Sequence, residues 1–396
     1  MHKIYFDNAA TTPVRPEVKE AMQPYFCEKY GNPSGMYKLA SECRRDMELV
    51  RKQIGETLGA SPEEIYFTSG GTESDNWAIK STAQLLQEKG RHIITSKIEH
   101  HAVLNSCIYL EKQGFEVTYL DVDEWGGVRL DVLEKMIRKD TILISVMYAN
   151  NEVGTIQPIY QIGKIAKKNN IFFHTDAVQA YGQLLINVKK ENINLLSASA
   201  HKFNGPKGVG FLYIDKKMPL SSYIHGGKQE KNHRAGTENV AGIIGMGKAA
   251  ELAFATQTER EKQVQQMRDY FMKKLCEEIP YCRINGSITK RLPGNCNVSF
   301  QFIDGNELLL LLDEKNICAS AASACSTGAA SPSHVLTAMG IPKQLARGTL
   351  RLTIGYQNTL DEVDETIKCI KEAVEKLREN AEDYQIYKET FPCNKI

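Results

Sequence analysis

The chain has 396 residues, 42% of them hydrophobic, which is enough to bury a large core and to build an enzyme-sized molecule of more than one domain. Its 49 Lys and Arg stand against 48 Asp and Glu, so no global field attracts a polyanion or an acidic membrane surface. That balance argues against direct nucleic-acid binding, and no segment offers the roughly 18 uninterrupted apolar residues of a membrane span.

The opening MHKIYFDNAATTP lacks the apolar run of a secretory signal, so a soluble cytoplasmic protein is expected. Ten cysteines, at 27, 43, 107, 276, 282, 296, 318, 325, 369 and 393, are scattered with no CxxC pair. Reduced thiols fit this spacing better than a zinc site or a disulfide framework, and any special cysteine has to be argued from its surroundings.

Between Ile65 and Ile214 the apolar runs IYF, HIIT, EVTYL, TILISVMY, IFFH, LLSA and VGFLYI recur, separated in places by helix-like stretches such as 75–87 and 131–138. Strands alternating with helices predict a mostly parallel sheet covered on both faces. Ligands of such sheets sit outside the carboxyl ends of the strands, and the polar residues of this region fall there. In IYFTSGGTESDNWAIK a strand, a turn and a helix meet at Gly71 and Thr72, an anion cradle suited to phosphate or simply a structural turn. In IFFHTDAVQ the strand ends at Asp176, with Gln179 three residues on. A carboxylate there can pair with a protonated pyridine nitrogen, or it can cap a helix. In SASAHKFNGPKG, Ser199, His201 and Lys202 stand before a Gly/Pro turn, where a lysine can form a Schiff base and its neighbours can donate to phosphate.

After about Thr256 the pattern changes to a charged amphipathic helix, EREKQVQQMRDYFMKKL, followed by NVSF, the helical NELLLLLDE, a small-residue loop, the strand LRLTI and a helix over 360–377. This reads as a second α/β unit. The tail after Arg378 has no clean period and reads as peripheral. Arg351 of LRLTI offers a planar fork for a substrate carboxylate, the alternative being a salt bridge at a strand edge.

Taken in order, FDNAATTP, TSGGTESDN, EHHAVL, NNEVG, TDAVQ, SAHKFNGPKG, RAGTEN and SACSTGAASPSHVL resemble the cysteine desulfurases of the nitrogen-fixation and iron-sulfur assembly type, within the class V aminotransferases. The resemblance runs from Phe6 to about Gly355. It implies the fold type I architecture of pyridoxal-phosphate enzymes, with a mostly parallel seven-stranded sheet in a large domain over 14–256. A smaller α/β domain would comprise 1–13 and 257–380 and carry a cysteine loop at 319–334, with 381–396 as a peripheral tail.

Carried over by motif, the resemblance makes Lys202 the lysine that binds pyridoxal 5'-phosphate, Asp176 the partner of the pyridine nitrogen and Gln179 that of the ring hydroxyl. His100 would stack on the ring and serve in proton transfer, and Asn151 would lie near ring or substrate. Gly71, Thr72, Ser199 and His201 would hold the phosphate. Thr237 of RAGTEN would complete that cradle from the neighbouring subunit, which implies a homodimer. Arg351 and Asn8 are the candidates for the carboxylate of L-cysteine.

The stretch ASAASACSTGAASPSH, 319–334, is too poor in large apolar residues to build much core and is expected to be an exposed, mobile loop. By the resemblance Cys325 is the nucleophile that takes the sulfur, leaving L-alanine. The persulfide would pass to an acceptor protein such as an iron-sulfur scaffold or a tRNA-thiolation enzyme, and Cys325 could be a transient [2Fe-2S] ligand shared with a scaffold. Three positions depart from the family pattern: Tyr37, Ala322 and Asn232, the last two standing in place of glycine. The alternatives are a selenocysteine lyase or another class V enzyme, distinguished by needing no loop thiol if it is a transaminase, and a catalytically silent interaction subunit, against which Lys202 and Asp176 both speak.

Overall fold

The computed structural model describes residues 3–321 and 332–390. Strand β1 (Ile4–Tyr5) comes first, followed by β2 (Ile65–Thr68), β3 (His92–Ser96), β4 (Glu116–Leu120), β5 (Thr141–Ser145), β6 (Phe172–Asp176), β7 (Leu195–Ser199) and β8 (Gly210–Ile214). Then come β9 (Cys282–Ile284), β10 (Asn295–Phe300), β11 (Ile317–Cys318), β12 (Ser320–Ala321) and β13 (Thr349–Thr353).

The seven apolar runs of the first half form one seven-stranded sheet in the order β2-β8-β7-β6-β5-β3-β4. Only β8 runs against its neighbours. Every residue of β3, β5, β7 and β8 is buried, as a sheet covered by helices on both faces demands. One apolar cluster joins Ile54, Phe67, Ile144, Phe173 and Phe211, and a second joins Ile79, Ile93, Val103 and Leu143.

A four-stranded antiparallel sheet, β12-β13-β10-β9, follows in the second half. Phe6, Phe271, Val298, Leu308, Leu350 and Ile370 form its core. β1 pairs with β11, so the first described residues belong to this second core. From there the chain crosses to the first sheet, where Thr12 N–H donates to the His201 carbonyl at 2.9 Å. The tail, which has no clean period in the sequence, is nonetheless regular. It forms a helix, Glu382–Thr390, whose Tyr384 and Tyr387 rings pack on Phe302 at centroid distances of 5.4 and 5.2 Å. Two aromatics three residues apart suffice to seat one short helix without producing an apolar period. No helix among the described residues is long and apolar enough to cross a membrane.

The connection after β8 is held by a buried ion pair. Arg51, on helix Lys38–Leu58, grips both oxygens of Glu230 at 2.8 and 2.9 Å, and the Phe67 N–H donates to the same carboxylate. Glu230, Lys231 and Asn232 all have positive φ, at 43, 58 and 67°. Three successive left-handed residues are costly, and asparagine is among the non-glycine residues that tolerate the conformation best. Asn232 therefore suits the third left-handed position. Arg51→Met would leave Glu230 buried without its counter-charge, so unfolding in urea should show a loss of about 3–5 kcal/mol. A loss below about 1 kcal/mol would mean that the pair does not hold this segment.

Candidate active site

The carboxyl ends of five strands converge on a cavity of about 430 Å³. Its lining includes Gly71 and Thr72 after β2, His100 after β3, Asn151 after β5, Asp176 and Gln179 at and after β6, and Ser199, His201 and Lys202 at and after β7. Arg351 of β13 and Ser320 and Ala321 of β12 close it from the second sheet. Residues far apart in sequence meet here because parallel strands place all their carboxyl ends on one edge.

Asp176 is 5% exposed and accepts the Val178 N–H at 2.9 Å. It has company. Asp75, 1% exposed on helix Gly71–Leu86, and His100 place their polar atoms within 4.8 Å of one another and of Asp176. Burial raises both carboxyls, and the Asp176 charge pushes Asp75 higher still. His100 and Lys202 pull Asp176 down, so of the two it is the one that ionises first. Below them His174 sits with Nδ1 2.8 Å from Ser145 Oγ and Nε2 3.1 Å from Ser197 Oγ. Burial lowers this histidine to about 3, so it is neutral at physiological pH.

Lys202 Nζ donates to the carbonyls of Ala9 and Ala10 at 2.6 and 2.8 Å, and Gln179 Nε2 donates to Ala9 at 2.9 Å. The crossing segment 7–12 thus ties lysine and amide to the wall of the cavity. His100 caps helix His101–Glu111, its Nδ1 accepting the Ala102 N–H at 3.2 Å. That acceptor role leaves the proton of the neutral ring on Nε2. Burial, ahead of any charge effect, lowers its pKa.

Gly71 and Thr72 open their helix, where the first N–H groups have no intrahelical partner. A Cβ on Gly71 would come within 2.5 Å of Val178 Cγ2, so only glycine leaves this cradle open. His201 adjoins it, Nδ1 at 3.1 Å from Thr11 Oγ1, and burial lowers it to about 4. Arg351 lines the cavity and pairs with Asp7 at 2.8 Å, the salt bridge that was one of its two sequence readings. Its Nη1 donates to the Asn151 carbonyl at 3.1 Å, and its Nε has no hydrogen-bond partner among the described residues.

Two sequence candidates stand apart in this chain. Asn8 lines an adjoining cavity of about 70 Å³ that shares Lys202 with the main one, its amide committed to the Thr353 carbonyl and Gln357. Thr237 lies in a crevice with Gly236 and Glu238, outside the main cavity. Cys325 and Ala322 lie outside the described residues. The flanks of their segment do reach the site: Ala321 lines the cavity, and Ser333 Oγ donates to Glu152, another lining residue, at 2.5 Å.

The chain matches the model of the aminotransferase class-V family over residues 4–366. The chain belongs to this class-V family. It is 55% identical over 375 residues to cysteine desulfurase IscS of Methanosarcina thermophila, covering 95% of this chain and 93% of that protein. Its structure is similar to that of a NifS-like protein, with a TM-score of 0.89 and 41% identity over 94% of this chain and 100% of the other. It is also similar to SspA, solved in complex with cysteine, with a TM-score of 0.79 and 39% identity over 90% and 100% of the two chains. As a class-V aminotransferase of this kind, the chain is a pyridoxal-phosphate enzyme.

Three buried groups of this class-V site escaped the sequence reading. Asp75 and His174 sit inside motifs read for other residues, and their pairing depends on a helix and a strand adjacent only in the fold. Glu99, 0% exposed, accepts Ser96 Oγ–H at 2.5 Å and the Met147 N–H at 3.0 Å, directly before His100. A glutamate beside two histidines reads as surface charge in sequence. Burial raises Glu99 from 4.5 to about 8. Its folded pKa exceeds the unfolded one, so its stabilisation is complete below about pH 4.5 and fades as pH rises to about 8. Glu99→Gln should therefore gain on the wild type by about 1.4 kcal/mol for each pH unit across that window. Urea unfolding at pH 5.5 and pH 7.5 measures it, and a pH-independent difference would refute the buried neutral acid.

Proposed function

We propose that this chain is a cysteine desulfurase that removes sulfur from L-cysteine, carries it as a persulfide on Cys325 and releases L-alanine. The observation that carries the reading is one cavity holding Lys202, Asp176 and His100 with both flanks of the Cys325 segment on its rim. Cys325 is four residues beyond Ala321, a span of at most about 14 Å, so covalent geometry alone allows its sulfur into the cavity. The relatives named cysteine desulfurase at 55% and 50% identity support the same activity.

The residues fit pyridoxal phosphate. Gly71, Thr72, Ser199 and His201 offer a cradle that a Cβ at Gly71 would fill, Asp176 offers a carboxylate to the pyridine nitrogen, and Gln179 offers an amide to the ring hydroxyl. When bound, the group supplies an electron sink for charge that develops at the substrate Cα. Lys202 Nζ holds the cofactor, then takes the Cα proton as general base. Asp176, as the anion of its carboxylate pair, keeps the pyridine nitrogen protonated. Arg351 binds the substrate carboxylate and releases part of its hold on Asp7 to do so. His100, with its proton on Nε2, would lie against the cofactor ring and would move protons between substrate and Cys325. The Cys325 thiolate attacks the substrate sulfur, the C–S bond breaks with its electrons going to Cβ, and protonation of Cβ together with return of the Lys202 proton to Cα yields alanine. L-cysteine and one thiol become L-alanine and one persulfide, with no net oxidation.

The reading includes a homodimer, because Thr237 stands outside the cavity of its own chain and would serve the cradle of a second copy. It also includes the division into a large domain, 14–256, and a small one, 1–13 and 257–380, and work in the reducing cytoplasm. An iron-sulfur scaffold or a tRNA-thiolation enzyme is the proposed sulfur acceptor, with Cys325 open to sharing a transient [2Fe-2S] cluster with a scaffold.

Purified Cys325→Ala should keep the cofactor absorbance and lose alanine and sulfide release from L-cysteine by on the order of a thousandfold or more. Wild-type protein that binds cofactor yet mobilises no sulfur from cysteine with a reducing thiol present would shift the assignment to selenocysteine or to amino-group transfer. Arg351→Gln should raise KM for L-cysteine by roughly ten- to a hundredfold, the worth of a charge-assisted bidentate contact. An unchanged KM would place the carboxylate elsewhere.

A further inference from the structure

We propose that Cys276 and Cys282 form a redox-active dithiol, a second thiol centre of this chain that takes a low-molecular-weight disulfide as its oxidant and closes to an internal disulfide. The proposal is independent of the desulfurase reading. Cys276 is exposed in the last turn of helix Gln257–Glu278, and Cys282 is the first residue of β9. Their sulfurs lie 3.7 Å apart, Cys282 S–H donating to Cys276. Five residues lie between them in sequence. The chain reverses between them through Tyr281, held at a φ of 56°, and this left-handed residue brings strand start and helix end together.

The chemistry of the pair is asymmetric. The S–H donated by Cys282 favours the Cys276 thiolate, while the same contact and burial keep the Cys282 proton in place. The Arg378 guanidinium beside Cys282 adds positive charge that eases its later ionisation. An attacking thiol and a resolving thiol in contact are what disulfide exchange requires. Cys276 thiolate attacks one sulfur of the oxidant and expels its first thiol. Cys282 then attacks the Cys276 sulfur and expels the second, its proton leaving with that thiol. Two electrons pass from the protein pair to the oxidant, giving one internal disulfide and two small thiols.

The site is remote from the catalytic cavity. β9 and β12 are the opposite edges of the four-stranded sheet, three strand spacings or roughly 14 Å apart. β12 leads into the segment with Cys325, so oxidation at β9 does not consume that thiol.

The test uses the holoenzyme, reduced and then equilibrated in buffers of increasing glutathione disulfide to glutathione ratio, acid-quenched, alkylated and mapped by peptide mass. The expected result is a disulfide-linked peptide joining 276 and 282 that replaces the two alkylated thiols and reverts on return to glutathione. Cys282→Ser should instead stop at a glutathione adduct on Cys276. Recovery of both residues as free thiols through the most oxidising buffer, or as separate glutathione adducts in the wild type, would overturn the proposal. Cysteine desulfuration measured in parallel keeps this outcome separate from the desulfurase assignment.

Discussion

The wholly buried, mostly parallel sheet is the constraint from which the site follows. Strands β3, β5 and β7 expose nothing along their length, so the polar residues of these segments that serve the cavity gather at their ends. Parallel pairing then puts the ends of β3, β5, β6 and β7 on the same edge, and β2 joins them because the reversed β8 lies between it and β7. That reversal has a local requirement. β8 begins at Gly210, where a Cβ would sit 2.4 Å from the Ala198 carbonyl oxygen and 2.8 Å from Gly70 Cα, so glycine there lets the phosphate-side turn close over the sheet.

Burial also decides the charges. Asp75, Asp176 and Glu99 are within electrostatic reach of one another in space that water hardly enters. Such a group cannot hold three negative charges, and the environments separate their roles. Glu99 is a neutral acid that anchors the Met147 backbone, Asp75 is pushed away from ionisation by burial and by the Asp176 charge, and Asp176 retains the positive neighbours that favour its anion. His174 contributes by being neutral: with a serine hydroxyl at each nitrogen it braces β5, β6 and β7 and leaves the cationic partners to Asp176.

Two of the contacts that the second sheet makes with the site bear on its charged groups. Segment 7–12 carries carbonyls from the small core to Lys202 and Gln179, and Arg351 reaches back from β13 to Asp7 and Asn151. A change in the packing of the small core is therefore transmitted to the lysine and to the carboxylate-binding arginine together. The strained segment behind Thr237 follows a different logic, in which a buried Arg51 ion pair over-determines a backbone that would otherwise relax.

The seven strands, and Lys202, Asp176 and the Gly71 turn as candidates at their ends, were legible in the sequence, because short apolar runs report burial and these polar residues follow them directly. The family pattern supplied His100, Thr237 and Cys325, and no periodicity would have done so. What only the tertiary structure decided are contacts that reading the chain in order does not show: Asp75 beside Asp176, Glu99 against the Met147 backbone, Arg51 paired with Glu230, the Cys276 and Cys282 sulfurs across a turn, and the Asn8 amide committed to Thr353. The reason is physical. A strand or helix signal is local, whereas the charge state of a carboxylate or the reach of a thiol depends on neighbours brought in by packing, and a single chain read in order does not contain their distances.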